Sequence, residues 1–441
     1  MSRPRVTKII NCRVLLDHKI VHNAYLWFQD GIIIDPQQHF YDARFEPDEV
    51  IDAHGRLVVP GFIDAQINGA FGVDFTTDAQ PEVSDETLRE NLAKVSKGLL
   101  KFGCTAYCPT VVSAEPEIYH RVLPMLRPQP GSVHGAAILG AHIEGPFISH
   151  GKRGAHRPHV LSAAPNGIED LYERYGEELK ERSKTQEGQE RAVKIITVAP
   201  ELEGILDVIP ELVDKGVIVS IGHSEAKIAD AEAGVAQGAT FITHLFNAML
   251  AFHHRDPGII GTLGSTHLPI PSKGQGHPSP SATSPDATQP DPRPFYGLIC
   301  DGIHAHPNSI KVAYYSHPKG CVLVTDALSA AGLPPGTYPL AGREISVDDS
   351  LHAYIKDTTT LAGSVITMDA CIRNFVAFTK CTLVEAIEAA TLHPAQLLGI
   401  VDRKGSLNVG RDADLVFIDD SNGPDQFVVE RVFVGGEEVV F

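Results

Sequence analysis

Eight short apolar runs punctuate the middle of the chain, and each ends in a polar or glycine-containing turn. They are LVVPGFIDAQING (57–69), CTAYCPTVV (104–112), AAILGAHIEG (136–145), VKIITVAPE (193–201), GVIVSIGHS (216–224), ATFITHLFN (239–247), FYGLICDGIH (295–304) and GCVLVTDA (320–327). Most intervals between them carry a helix-like stretch, such as DETLRENLAKVSKGLLKFG or AKIADAEAGVAQG. Apolar strands alternating with helices mark parallel βαβ units. Eight units predict an α/β fold of the (β/α)8 TIM-like barrel type. A doubly wound open sheet is the second choice, because periodicity alone does not separate the two.

The two ends of the chain have a different texture. KIINCRVLL, AYLWFQDGIIID and GRLVVPG near the start, and GSLNVGRDADLVFID and QFVVERVFVGGEEVV near the end, read as short strands between turns. We therefore expect residues 1–58 and 402–441 to form one small β-sandwich domain, with the barrel occupying 59–401. Inside the barrel, PIPSKGQGHPSPSATSPDATQPDPRP (269–294) is rich in Pro and Ser and nearly devoid of apolar residues. Such a segment cannot bury a core and is expected as a disordered surface-loop insertion. Residues 366–400 read as two helices with a break near Lys380–Thr382.

Charge and cysteine content exclude some functions. The chain has 37 basic and 55 acidic residues, a net charge of -18, which argues against nucleic acid or an anionic membrane surface as partner. A small anionic ligand needs only a local cation. No apolar run approaches the ~20 residues of a membrane span, and the first residues lack the apolar stretch of a secretory signal. The seven cysteines are scattered, Cys104 and Cys108 as CxxxC, and read as reduced thiols of a cytoplasmic protein.

The third run poses a chemical question. Glu144 closes what reads as a buried strand, and a buried carboxylate is costly unless it is paired or binds a metal. His223 closes the fifth run, His244 the sixth and Asp326 the eighth. In a barrel of this kind the active site lies at the C-terminal ends of the strands. Glu144, His223 and His244 together give three O/N ligands with a fourth position open, the pattern of a catalytic zinc site. A metal there lowers the pKa of bound water to about 7 and polarises a carbonyl. Asp326 stands opposite as general base and later acid. His142 shares a strand face with Glu144 and is read as a packed or supporting residue. The H-x-H of His304 and His306 is a weak signal alone, and His253 and His254 read as a loop pair.

The motifs PGFIDAQINGAFGVDF, HIEGPFISHGKRGAH, GHSEA, THLFNAM, HHRDPGIIG, DGIHAHP, VTDALSAAG and LAGS occur in this order. Together they resemble the N-acetylglucosamine-6-phosphate deacetylase family of the amidohydrolase superfamily, from about residue 8 to the C-terminus except for 269–294. The resemblance implies a (β/α)8 barrel with a β-sandwich built from both termini. It implies hydrolysis of N-acetylglucosamine 6-phosphate to glucosamine 6-phosphate and acetate in amino-sugar metabolism. Glu144, His223 and His244 match the metal ligands, and Asp326 the catalytic base and acid. His156 matches the residue that hydrogen-bonds the scissile carbonyl. Asn247 and Ala248 match residues that hold the sugar phosphate, and His304 another substrate contact. Arg255 matches a phosphate-binding arginine that reaches across a homodimer interface. Leu361, Ala362, Gly363 and Ser364 match a substrate-lining loop.

One position departs from the wider superfamily, where many members carry H-x-H after PGFID and bind a second metal. Here it reads Gln66-Ile67-Asn68, and amides are poor zinc ligands beside imidazole. We expect one divalent ion per subunit, with zinc the first choice. The missing H-x-H disfavours a cyclic amidase or deaminase on the same fold. The intact set Glu144, His223, His244 and Asp326 disfavours a barrel that serves only as an interaction scaffold.

Overall fold

The computed structural model describes residues 5–37, 46–180, 190–268, 291–340, 343–348, 352–358 and 361–441. All eight apolar runs supply barrel strands: β1 (Phe62–Ile67), β2 (Cys104–Val112), β3 (Ala141–Glu144), β4 (Val193–Val198), β5 (Ile218–Ile221), β6 (Phe241–Ile242), β7 (Phe295–Ile299) and β8 (Cys321–Val324). Each pairs in parallel with the next, from β1 with β2 to β7 with β8. A doubly wound sheet would reverse direction midway; here spatial order follows chain order, and the sheet curls into a nearly closed barrel.

Side chains on a strand alternate between faces, and the core divides accordingly. Ile63, Ala65, Ala106, Cys108, Phe241, Phe295, Val322 and Val324 form an inner cluster. Phe62, Tyr107, Ile143, Ile196, Tyr296 and Leu323 pack in a larger cluster with the surrounding helices. The helix Asp85–Leu99 shows how these helices are specified. Ser84 caps it by accepting the Thr87 N–H, and Leu88, Leu92, Val95 and Leu99 form its buried stripe.

Strands from the two chain ends meet in one eight-stranded sheet. Its joint is the antiparallel pairing of Leu57–Pro60 with Leu415–Asp419. Ile9, Val14, Phe28, Val58, Phe417 and Phe433 belong to its own core. Among the described residues no helix is long and apolar enough to cross a membrane.

Two elements differ from expectation. Residues 366–400 form three helices, Met368–Thr379, Leu383–Glu388 and Leu392–Leu397. The break at Lys380 is real (φ +62), but the second helix is itself interrupted, and there the carbonyls of Ala389 and Ala390 accept the N–H groups of Leu323 in β8 and Ile63 in β1. Between β8 and these helices a four-stranded antiparallel sheet, Gly336–Leu340 to Leu361–Gly363, extends the connection.

Of the Pro/Ser-rich insertion, residues 269–290 lie outside the described residues. Its flanks enter at the N-terminal ends of the strands, since Asp291 leads directly into the start of β7. Arg293 fastens that exit: Nη1 donates to the Leu263 and Ser316 carbonyls, both at 3.0 Å, and Nη2 to Asp291 Oδ2 at 2.6 Å. The catalytic end of such a barrel is the opposite one. Replacing residues 271–288 by a short Gly/Ser linker is therefore expected to leave kcat/KM within about twofold, as for a surface loop. A steady-state assay decides it; a loss above about tenfold would mean that the insertion reaches the mouth.

Candidate metal centre and active site

Four strand ends converge. Glu144 is the last residue of β3, while His223, His244 and Asp326 each lie two residues beyond β5, β6 and β8. The latter three take positive φ values of +48°, +26° and +46°. A non-glycine residue held there costs about 1–3 kcal/mol and persists only where its surroundings impose it. The same kink thus recurs at three polar residues on one barrel rim.

His223 Nε2 lies 2.9 Å from Glu144 Oε1, His244 Nε2 lies 2.8 Å from the same oxygen, and the two nitrogens are 3.0 Å apart. All three residues are at most 5% exposed. His223 Nδ1 is 2.8 Å from the Lys152 carbonyl, which can only accept, so Nδ1 carries the hydrogen and Nε2 the lone pair. A carboxylate oxygen and two imidazole nitrogens at these separations need a cation among them. Burial would hold the His244 imidazole neutral, but Glu144 outweighs it and lifts its pKa to about 9. Burial likewise raises the Glu144 carboxyl, yet the two imidazoles hold it well below the usual carboxylate range. This donor set fits a divalent metal ion, which replaces the shared proton. Among the described residues it is the one cluster of three or more such groups with ligand atoms within 4.8 Å of one another.

Asp326 faces this cluster. Asn68 Nδ2 donates to Asp326 Oδ1 at 2.8 Å; Gln66 Nε2 donates to the same oxygen at 3.2 Å and to Glu144 Oε1 at 3.3 Å. Burial, followed by the charge of Glu144, pushes the Asp326 carboxyl up to about 6. His156 stacks edge-on against His223, with ring centroids 4.6 Å apart. Its Nδ1 accepts the Ser113 N–H at 3.3 Å, leaving the hydrogen on Nε2. Burial, and then the neighbouring His223, push its pKa down to about 3, so it is a neutral donor.

His142 is occupied elsewhere. Its Nδ1 donates to the Ala65 carbonyl at 3.1 Å and its Nε2 accepts from Thr197 Oγ1 at 2.7 Å. Thr243 and Ser220 continue that chain at 2.7 and 2.5 Å through the barrel interior. His306 caps the helix Pro307–Ser316.

The remaining candidates line the rim. Asn247 donates its N–H to the His244 carbonyl at 2.9 Å, and the Ala248 carbonyl accepts from Ser224 at 3.1 Å, so their turn binds the two histidine loops together. Leu361, Ala362 and Gly363, expected as a loop, form the last strand of the four-stranded sheet, and the Ser364 carbonyl just beyond it accepts the Leu328 N–H at 2.8 Å, which brings the strand end beside Asp326. His304, past β7, is fixed by Asp301 Oδ2 at 2.6 Å from its Nδ1. Arg255 is exposed. Asp256 beside it is occupied by the N–H groups of Ile228 and Gly258, and no hydrogen bond or ion pair links the Arg255 guanidinium to the cluster. Two contributors escape the sequence reading, the Lys152 carbonyl and Asp64, which bonds Thr325 beside Asp326; Gln66 is singled out there, but not its bonds to Asp326 and Glu144. A carbonyl leaves no trace in residue identity.

The model of the amidohydrolase family matches residues 57–439. An N-acetylglucosamine-6-phosphate deacetylase from Danio rerio is 43% identical over 440 residues, covering 100% of this chain and 98% of its own length. The crystal structure of an N-acetylglucosamine-6-phosphate deacetylase from Pasteurella multocida superposes with a TM-score of 0.77 at 25% identity, covering 99% of this chain and 100% of that one. A mutant enzyme of the same designation from Mycobacterium smegmatis, solved in complex with N-acetyl-D-glucosamine-6-phosphate, gives 0.74 at 25% identity with full coverage of both chains, 100% each.

Proposed function

This chain belongs to the N-acetylglucosamine-6-phosphate deacetylases of the amidohydrolase family and is a hydrolase acting on an amide, and we propose that it converts N-acetyl-D-glucosamine 6-phosphate to D-glucosamine 6-phosphate and acetate in amino-sugar metabolism. The observation that carries the reading is the juxtaposition of Glu144, His223 and His244 with Asp326 across the barrel mouth. We assign those three residues as ligands of one divalent ion, zinc being the first choice. When bound, such an ion polarises a carbonyl and lowers the pKa of water to about 7.

The rest of the chemistry falls to the chain. Both amide donors reach Asp326 through Oδ1, so Oδ2 is the oxygen that takes the proton of the attacking water. As the water oxygen bonds to the acetamide carbon, the His156 Nε2–H donates to the oxygen that gains charge. Asp326 then returns its proton to the sugar nitrogen, and the C–N bond breaks. Asn247, Ala248, His304 and the strand end Leu361, Ala362, Gly363 and Ser364 surround the sugar. Arg255, whose guanidinium has no partner among the described residues, binds the phosphate of a neighbouring subunit's substrate in a homodimer. Phe252 on the same loop is 62% exposed, which fits a surface that a second copy covers. A cytoplasmic location fits seven thiols that are all buried and unpaired.

Acetate release from the phosphorylated and unphosphorylated sugars tests this reading. Turnover is expected with the 6-phosphate only. Arg255→Ala should raise KM for it about tenfold to a hundredfold, the worth of a charge-assisted hydrogen bond of about 1.5–3 kcal/mol, with kcat changed little. Equal turnover of both sugars would remove the phosphate from the reading, and no release from either, with metal bound, would point to another amide.

A further inference from the structure

The barrel has one junction without a ladder. β1 pairs with β2 and β8 with β7, but no ladder joins β8 to β1. Low on the seam the carbonyls of Ala389 and Ala390 stand between the two strands. High on it, the Asp326 N–H donates to the Gln66 carbonyl at 2.8 Å and the Asn68 N–H to the Ala327 carbonyl at 2.9 Å. Between these levels sits Asp64, 1% exposed. Its Oδ1 accepts the Thr325 N–H at 3.2 Å and the Gln66 N–H at 3.3 Å, and its Oδ2 accepts the Thr325 hydroxyl at 2.5 Å.

We propose that Asp64 is a positioning residue for Asp326: its carboxylate ties the last barrel strand to the first across the unladdered seam and so sets Asp326 against the Gln66 and Asn68 amides. This rests on the reading of Asp326 as the general base.

Three observations favour geometry over stability as the reason for a carboxylate here. No cation pairs with it among its hydrogen-bond partners, and an unpaired buried carboxylate is costly. Burial pushes its carboxyl up to about 7, so its charge does not favour the folded state at neutral pH. Third, all three of its partners are donors, one from Gln66, whose carbonyl takes the Asp326 N–H, and two from Thr325, which precedes Asp326. A carboxylate accepts all three at once. An asparagine in its place would turn an N–H toward the Thr325 hydroxyl, which already accepts from the Ala327 N–H at 3.3 Å.

The test uses the metal-loaded full chain and the variants Thr325→Val, Thr325→Ser and Asp64→Asn, with Asp326→Asn as reference. A misplacement of order 1 Å costs about a hundredfold in rate. Thr325→Val and Asp64→Asn are expected to lower kcat about tenfold to a hundredfold, with KM within about twofold and metal content unchanged. Thr325→Ser, which restores the hydroxyl, should recover kcat to within about threefold. Thr325→Val with unchanged kcat overturns the proposal, as does a Thr325→Ser no better than Thr325→Val, or loss of kcat together with KM and bound metal. If Asp64→Asn does not fold, the Thr325 pair decides. Should Asp326→Asn itself turn over normally, the general-base reading fails and this inference with it. A dead Asp326→Asn beside an unimpaired Thr325→Val defeats the positioning role alone.

Discussion

Asp326→Asn is expected to lower kcat by about a hundredfold to ten-thousandfold, the range spanned by a positioned general acid–base, while KM and bound metal stay close to the parent's. The amide keeps the size of the carboxyl but cannot take a proton from water or return one to nitrogen. The pH profile supplies a second readout. Burial and Glu144 place the Asp326 carboxyl near 6, and a cation held by Glu144, His223 and His244 pulls it lower. A base acts deprotonated, so kcat/KM of the parent should fall as pH drops through a single ionisation at or below about 6. Single-turnover acetate release across pH measures both. A variant retaining more than a tenth of the parent rate would hand the proton transfers to another group, with His304 the next candidate on the rim.

The second large effect concerns the cation. His223→Ala, or dialysis of the parent against a chelator, should abolish stoichiometric metal and lower turnover by about a thousandfold or more, because Lewis-acid stabilisation is worth several kcal/mol and each ~1.4 kcal/mol is tenfold. Adding back zinc should restore the dialysed parent and not the variant. Elemental analysis gives the metal count independently of activity. One ion per chain is expected, because positions 66 and 68 carry amides, poor zinc ligands beside the imidazoles of an H-x-H pair. Full activity in metal-free protein would refute the assignment of these ligands.

Much of this is legible in the sequence alone. The eight runs were visible because buried parallel strands must be apolar throughout, and their ends because polar residues interrupt such runs abruptly. That logic placed Glu144, His223, His244 and Asp326 on one rim. What stayed hidden depends on contacts distant in the chain. The Lys152 carbonyl fixes the His223 tautomer from 71 residues away, and Asp64 reaches Thr325 across 261. Neither partner is implied by the residues beside it. The split at Ala389–Thr391 was missed because both pieces are helix-forming; the break serves β1 and β8, which lack each other's hydrogen bonds. The sheet from Gly336 to Gly363 alternates too weakly, over strands of three to five residues, to stand out.

The kinked backbone at His223, His244 and Asp326 has a consequence for how such a chain can drift. At about 1–3 kcal/mol for each site, the three together withhold a sum comparable with the whole net stability of a typical domain, about 5–15 kcal/mol. Glycine at positions 223, 244 and 326 would relieve it at once, since glycine adopts positive φ without penalty. A lineage released from catalysis could take that relief at 223 and 244 only by replacing Glu144 as well, since without the imidazoles its carboxylate is buried and unpaired. This chain has taken none of those three steps. Selection for thermostability alone, run on it in the laboratory, should find the histidine steps only together with a neutral residue at 144, and deliver proteins that no longer turn over substrate.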